Sequence, residues 1–335
     1  MILEVKVEKA YNGDCIWLRY GTEDNISNII IDSGPAVFAK GFKKLMDKIV
    51  NSGELIDLLV LTHIDNDHIK GFSKFILNKN CDHIKKVWFN GEGSKIYLEN
   101  QPHSPESAMK LTDYMKGKGL KVTTPVHMGY EDSINDAKIK VITPTLESIQ
   151  RVSKEIDKEI DKCTPHSPKE LHIEKDIDIV IKDDEYKKDK SITNRASISF
   201  VFSYDGVNIA FLGDVHAEDV IYGKNKYFKN KEIHVIKVAH HGSEYNTNKE
   251  LLQCMKASEF IISKKGAISK RTIARIVENV DNPIINCNYN WWSQTGYFTK
   301  NDVEKYIDTG KLKIKEIKDK IVIDTSKFKI KEATK

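Results

Sequence analysis

The sequence predicts a mixed α/β (α+β) fold, and three observations carry that expectation. Residues 2–8 alternate apolar and polar with period two, and with the strand-like runs at 15–20 and 28–32, joined by short turns, they suggest a meander. From about residue 38 the apolar spacing becomes helical, and buried strands and helices then follow one another. The residues able to do chemistry fall at the C-terminal ends of apolar strands, where α/β sheets gather their sites.

Taken in order, residues 2–8 alternate as a strand, 15–20 read as a second, and 28–32 form a short buried strand ending in Asp32-Ser33-Gly34. Residues 38–51 place Phe38, Phe42, Leu45, Met46 and Ile49 on one helical face, and 57–62 return as a buried strand. A helix is expected over 71–77, a strand over 86–90, a helix over 106–116 and an alternating strand over 137–142, closed by Thr143-Pro144. Residues 145–192 are dense in Lys, Asp and Glu and read as a charged insertion, helical or partly mobile and mostly solvated. The core pattern resumes with strands at 196–204 and 208–212 around an Asp205-Gly206 hairpin turn. Further strands are expected at 233–238 and 259–263, helices at 248–256 and 270–278, and a terminal β-hairpin within 311–330.

With 335 residues, 40% hydrophobic and 30% charged, the chain can build one large domain or two modest ones. Motif placement favours one domain over 1–300, carrying the insertion at about 145–192, plus a C-terminal extension over 301–335. The net charge of +4 is a small difference between 53 basic and 49 acidic groups and names no partner by itself. The five Cys are scattered without a CxxC pair, which argues against a disulfide framework or a cysteine zinc site. No stretch approaches the apolar length of a membrane span, and the N-terminus lacks a secretory pattern, so a cytoplasmic protein without membrane contact is expected.

The chemistry concentrates in THIDNDHIKG at 62–71, directly after a buried strand. His63, Asp65, Asp67 and His68 are metal-competent and lie within six residues, where a turning chain can aim them into one cleft. The bland alternative is a polar loop in which Asp67 caps the following helix. Two further strands end in Gly213-Asp214 and in Ala239-His240-His241-Gly242-Ser243, and neighbouring strands end on one sheet edge, so these residues can converge with the loop.

These motifs, with Asn12-Gly13-Asp14-Cys15, Ile30-Ile31-Asp32-Ser33-Gly34, Asn194 and Ser197, occur in one order over roughly residues 1–300. In that order they resemble the metallo-β-lactamase superfamily, and within it the branch related to the hydrolase domain of the DNA-uptake protein ComEC. The resemblance implies a four-layer αβ/βα sandwich with a metal site at the edge between its two sheets. It also implies one or two divalent ions, Zn²⁺ or Mn²⁺. One is held by Asp67, His68, Asp214 and a histidine of the HHGS motif, His241 being favoured and His240 the alternative. The other uses His63, with Asp65 standing where the commoner pattern has a second histidine and Asn194-Arg195-Ala196-Ser197 where it has a third. Oxygen-rich ligation of that kind suits a harder ion.

The reaction so implied is hydrolysis by a metal-activated water, with Asp65 or Asp67 accepting its proton and the remaining HHGS histidine, His240, assisting the leaving group. Asn194 and Ser197, and Lys270 and Arg271 at the end of a run of four cations from residue 264, are the expected substrate contacts. Lys70 either meets a substrate phosphate or lies exposed, and the aromatic cluster Tyr289, Trp291 and Trp292 either stacks on bases or packs the core. His216, His83 and His234 are expected to face outward, and His103, His127, His166 and His172 to sit in loops. The favoured substrate is nucleic acid or a nucleotide. Partners encoded in a bacterial gene cluster are an expectation by analogy alone. The alternatives are an esterase or lactonase on the same fold, or a non-catalytic binding module that retains a metal.

Overall fold

Strands β1 (Ile2–Val7), β2 (Ile16–Thr22) and β3 (Asn25–Ile31) form the expected antiparallel meander in the computed structural model, which describes residues 1–78, 81–91, 111–159, 171–294 and 296–328. The change of hydrophobic period marks the change of topology. Strands β4 (Leu58–Leu61), β5 (Val87–Phe89) and β6 (Val122–Thr123) join β3 in parallel. Helices α1 (Ala39–Asn51) and α2 (Asn66–Asn78) make the crossovers. Phe42, Leu45 and Ile49 of α1 and Ile69, Phe72 and Phe75 of α2 are buried against the outer face of this sheet, as are Leu111 and Met115 of α3 (Leu111–Gly117). The expected helix over 106–116 is described only from Leu111 onward.

The second sheet begins with a hairpin of β7 (Glu131–Ile134) and β8 (Ala137–Thr143). Helices α4 (Leu146–Glu159), α5 (Ile177–Lys182) and α6 (Ile192–Arg195) follow. Then β9 (Ser199–Tyr204) and β10 (Val207–Phe211) pair across Asp205 and Gly206, whose φ values of 47° and 84° suit the tight turn read from the sequence. Helix α7 (Ala217–Tyr227), β11 (Val235–Lys237), α8 (Lys249–Met255), β12 (Glu259–Ile262), α9 (Lys270–Asn279) and β13 (Ile284–Cys287) continue as parallel crossover units. The last strands are β14 (Lys313–Glu316) and β15 (Ile321–Val322).

Among the described residues the strand orders are β15-β1-β2-β3-β4-β5-β6 and β14-β13-β12-β11-β10-β9-β8-β7. The sheets pack face to face: Val5, Leu18, Ile29 and Val60 of the first share one apolar layer with Val141, Phe200, Phe202 and Ile209 of the second. The outer face of the second sheet is covered by Val220 of α7, Leu251 and Met255 of α8, and Ile273 and Ile276 of α9. Helix, sheet, sheet and helix therefore form the expected four-layer αβ/βα sandwich.

Two expectations are corrected. The tail does not form a hairpin, because β14 pairs in parallel with β13 while β15 pairs antiparallel with β1, one strand going to each sheet. Nor is the charged stretch solvated throughout. Ile177 and Val180 are fully buried, and Asp184 makes a two-pronged ion pair with the buried Arg275. Its residues 160–170 lie outside the described residues. No helix among the described residues is long and apolar enough to cross a membrane. Cys15, Cys81, Cys254 and Cys287 form no disulfide, and Cys163, like His103 and His166, falls outside the described residues.

Candidate metal centre

Six strand ends meet at one edge of the sandwich. Asp14 stands two residues before β2, Asp32 follows β3, Thr62 and His63 follow β4, Asp214 follows β10, His240 and His241 follow β11, and Ser263 follows β12. Helix α2 starts at Asn66, five residues earlier than the sequence suggested, so Asp67 and His68 stand in its first turn. Two glycines allow the metal-competent loop to seat: a Cβ on Gly13 would lie 2.0 Å from the Asp67 carbonyl oxygen, and one on Gly71 would lie 1.9 Å from that of Ser33. A hydrogen bond from the backbone N–H of Ile198 to the Thr62 carbonyl (2.8 Å) ties the two sheets together here.

Four imidazoles converge on one carboxylate oxygen. Oδ2 of Asp214 lies 3.9 Å from Nε2 of His63, 3.3 Å from that of His68, 3.8 Å from that of His240 and 3.6 Å from that of His241. Asp65 Oδ2 stands 3.6 Å from His63 Nε2, and Asp67 Oδ2 stands 3.4 Å from His241 Nε2 and 3.8 Å from His68 Nε2. Donor atoms about 2.0–2.2 Å from a tetrahedral ion lie about 3.3–3.6 Å from each other; His68 and His241 with Asp214, His63 with Asp65 and His241 with Asp67 meet that range, and the spacings of 3.8–3.9 Å lie just beyond it. Three of these imidazole nitrogens lack any other use. Nε2 of His63, His68 and His241 and Oδ1 of Asp214 are buried with no hydrogen-bond partner, an arrangement that costs free energy unless an ion occupies the cleft. The donor sets His63–His68–Asp214 and Asp67–His68–His241 are each close enough to hold a metal.

The opposite ring nitrogen of each histidine is anchored, which decides where its proton sits. His68 Nδ1 lies 2.8 Å from Asp32 Oδ2. The Thr62 hydroxyl also donates to that oxygen (2.8 Å) and so accepts from His63 Nδ1 (3.0 Å). His241 Nδ1 faces the Ser263 carbonyl and Asp14 Oδ1, each at 3.2 Å. His240 Nδ1 faces Asn246 Oδ1 (3.0 Å) and Asp189 Oδ2 (3.4 Å). All four are placed to carry the proton on Nδ1, so each neutral ring turns an Nε2 lone pair into the cleft. His240 and His241 hold left-handed backbones, with φ of 47° and 54°, a strained pair that aims two successive rings at one point.

The cleft is strongly anionic. Burial pushes the Asp214 carboxyl up, but His68, His241 and His240 outweigh it and hold the group well below the usual carboxylate range. Burial pulls the His241 ring down, but Asp214 and Asp14 outweigh it and raise it to about 9. For His68, Asp214, Asp32 and Asp67 overcome burial and push it well above its usual value. Beneath His241, Asp14 forms a fully buried ion pair with Lys237, which bridges the two sheets.

The structure brings the metal-competent residues expected from the sequence into one cleft, together with supports the sequence did not mark. His63, Asp65, Asp67, His68, Asp214, His240 and His241 all line the cleft, and both HHGS histidines point inward. Lys237 and Asp189 were not singled out. Asp189 comes from the charged stretch and receives hydrogen bonds from Asn194 Nδ2 (2.7 Å) and Asn246 Nδ2 (3.0 Å). His216 is buried, not outward-facing: its Nε2 lies 2.9 Å from the Ser191 carbonyl, holding the loop that carries Asp189.

The expected substrate contacts fare differently. Ser197 is fully buried, and its hydroxyl accepts from the Asp214 backbone N–H (3.3 Å). Lys270 is fully buried on the carbonyls of Ile173 and Lys175 and on Asp302, so it is a structural cation and cannot meet a substrate. Arg271 is engaged by the Glu185 carbonyl, with Glu244 3.5 Å away, and Asn194 is buried on Asp189. Lys70 is buried, not exposed, and Trp291 packs in the core under α9.

No family model matches the chain, and no curated protein matches it. Among solved structures it is similar to the metallo-β-lactamase fold protein YhfI from Bacillus subtilis, at 8% identity and a TM-score of 0.45, covering 96% of this chain and 99% of that one. It is also similar to CmlA, a diiron β-hydroxylase from Streptomyces venezuelae, at 11% identity and a TM-score of 0.42, covering 96% of this chain and 54% of that one. A diphosphatase from the PhnP family is similar at 10% identity and a TM-score of 0.38, covering 93% of this chain and 83% of that one.

Proposed function

We propose that this chain is a metal-dependent hydrolase of phosphodiesters, of the metallo-β-lactamase type resembling the ComEC-related branch. The observation that carries the reading is the convergence of four anchored imidazoles on Asp214 Oδ2, with the buried Nε2 atoms of His63, His68 and His241 otherwise unused. Two divalent ions suit this donor set. One would be held by His63, Asp65 and His240 and the other by Asp67, His68 and His241, with Asp214 available to both. Two imidazoles and two carboxylates at each position accept Zn²⁺ or Mn²⁺. Both HHGS histidines therefore serve as ligands in this reading.

A divalent ion in such a site supplies hydroxide at neutral pH and draws charge from a substrate oxygen. The chain's own groups do the rest. Asp65 and Asp67 are the half-exposed carboxylates at the mouth, and one of them accepts the proton of the attacking water at Oδ. Thr193, whose hydroxyl donates to Asp65 Oδ2 (3.3 Å), fixes that carboxylate. Asp32, Asp14 and Asp189 hold the histidine rings.

The test is elemental analysis of purified protein followed by assay with added Zn²⁺ or Mn²⁺ on bis(p-nitrophenyl) phosphate, p-nitrophenyl acetate and a lactone. Diester cleavage that disappears in Asp214→Ala together with bound metal supports the reading. Turnover of the ester or lactone alone moves the substrate class, and metal binding without any turnover replaces the enzyme with a binding module.

A further inference from the structure

Two loops run side by side outward from the metal centre. Their inner rung is the hydrogen bond from Ser263 Oγ to the Gly13 carbonyl (3.2 Å), beside the Ser263 carbonyl that faces His241 Nδ1. Their outer rung is the bond from the Lys265 backbone N–H to the Tyr11 carbonyl (2.9 Å). Gly13 packs directly on the backbone of Asp67. Tyr11 is two residues from Gly13, so its Cα lies at most about 7 Å further along the chain.

Tyr11 is held firmly for a residue that contributes nothing to the core. Its backbone N–H donates to the Tyr289 hydroxyl (2.9 Å), its carbonyl is taken by Lys265, and its φ of 61° is one that a bulky side chain adopts only when its surroundings impose it. Yet 40% of the residue is exposed, and it belongs to none of the three apolar clusters. The Lys265 ammonium lies 5.2 Å from the ring centroid. Tyr289, which clamps Tyr11, has the Lys9 ammonium 5.5 Å from its own ring. An exposed aromatic ring with a cation over it is the combination that receives an unpaired nucleobase and its phosphate.

We infer that Tyr11 and Lys265 form a platform for an unpaired nucleobase beside the metal centre, which makes the substrate a single-stranded nucleic acid. The inference rests on the phosphodiesterase reading and gives it a substrate class. In duplex DNA the bases are paired and stacked, so none is free to lie on Tyr11. The aromatic cluster that sequence reasoning offered for stacking takes a different part, with Trp291 in the core and Tyr289 clamping Tyr11.

The test is fluorescence anisotropy of metal-loaded protein with labelled phosphorothioate oligonucleotides: a single strand, the same strand made abasic, and a duplex. The wild type is expected to prefer the base-bearing single strand. Tyr11→Ala weakens that binding roughly 5- to 150-fold, the range for loss of one base–aromatic stack, whereas Tyr11→Phe keeps it. Tyr11→Gly, which relieves the left-handed backbone, shows the same loss as Tyr11→Ala and guards against a folding artefact. Neither variant loses affinity for the abasic strand. Lys265→Ala lowers the slope of log K against log salt by about 1. Equal binding of the single strand by Tyr11→Gly and wild type overturns the inference, as does a wild type that favours the duplex. Wild-type cleavage of methyl p-nitrophenyl phosphate, which carries no base, is measured alongside. If the wild type cleaves that diester while Tyr11→Gly binds the single strand as tightly as the wild type, the platform alone fails; no cleavage of any diester sinks the functional reading with it.

Discussion

Replacing Asp32 by Asn removes one charge and changes one atom, yet it disturbs two of the four histidines. Asp32 is fully buried, and its Oδ1 accepts from the Thr62 backbone N–H while Oδ2 accepts from the Thr62 hydroxyl and from His68 Nδ1, each at 2.8 Å. An amide cannot satisfy all three donors. With its oxygen toward the Thr62 N–H, its NH₂ faces His68 Nδ1, and the ring escapes that clash by moving its proton to Nε2, which removes the lone pair from the cleft. In the other orientation the NH₂ meets the Thr62 N–H. One charge-assisted hydrogen bond is lost either way, about 1.5–3 kcal/mol, or roughly 10- to 150-fold in metal affinity. Removing the outer partner of a ligating histidine costs about 10- to 100-fold, which agrees. The assay is chelator competition on Zn²⁺-loaded Asp32→Asn and wild type, with thermal melting of the metal-free forms to separate metal affinity from folding. An Asp32→Asn protein that is folded and binds both ions within threefold of wild type would refute the role given to the Nδ1 anchors.

Three other perturbations probe separate parts of the centre. Asp189→Asn weakens the hold on His240 alone, so graded chelator should strip one ion about 10- to 100-fold more easily and leave the other, and simultaneous loss of both contradicts the division into two positions. Lys237→Met strands the Asp14 carboxylate inside the sandwich and should cost about 3–5 kcal/mol in denaturant unfolding, part of it recovered by adding Asp14→Leu; a loss below about 1 kcal/mol argues against a buried pair. The metal-free protein should lose stability as pH rises. His241 has a folded pKa of about 9 against an ordinary 6.5, so its imidazolium contributes fully below about 6.5 and its contribution is gone once pH passes about 9, with His68 shifted the same way. Melting with chelator at pH 6, 7.5 and 9 reads this directly, and a melting temperature that stays flat or climbs across that window is the contrary result.

The cleft residues were legible because each follows an apolar strand, and strand ends are where a sheet can gather distant residues. Local pattern shows that His63, His68, Asp214 and the HHGS pair stand at such ends, and parallel topology places the ends on one edge. Asp189 was not legible for the complementary reason. It sits in a run of Lys and Asp, and only folding reveals that Asn194 and Asn246 bond to it while its neighbours Lys187 and Lys188 stay outside. Lys270 misled in the opposite sense, since a cation at a helix start reads as a phosphate seat until Asp302, thirty-two residues later, closes over it. Strands β6 and β7 were too short to show a period. In the tail, alternation announces a strand without naming its partner, so two strands that join different sheets read as a hairpin.

The pairing of β15 with β1 has a consequence for how the chain is made. Val322 lies opposite Glu4, so the strand that closes the outer edge of β1 is synthesised roughly 300 residues after it. At about 5–20 residues per second, a ribosome leaves that edge unpaired for roughly 15–60 s, far longer than a strand needs to find a neighbour. During that interval the exposed edge is a template for another nascent chain. Glu4 and Lys6 alternate with the buried positions of β1, and in the finished molecule Lys320 binds Glu4 across the joint. Those two charges keep the first strand from recruiting a stranger before its last partner arrives.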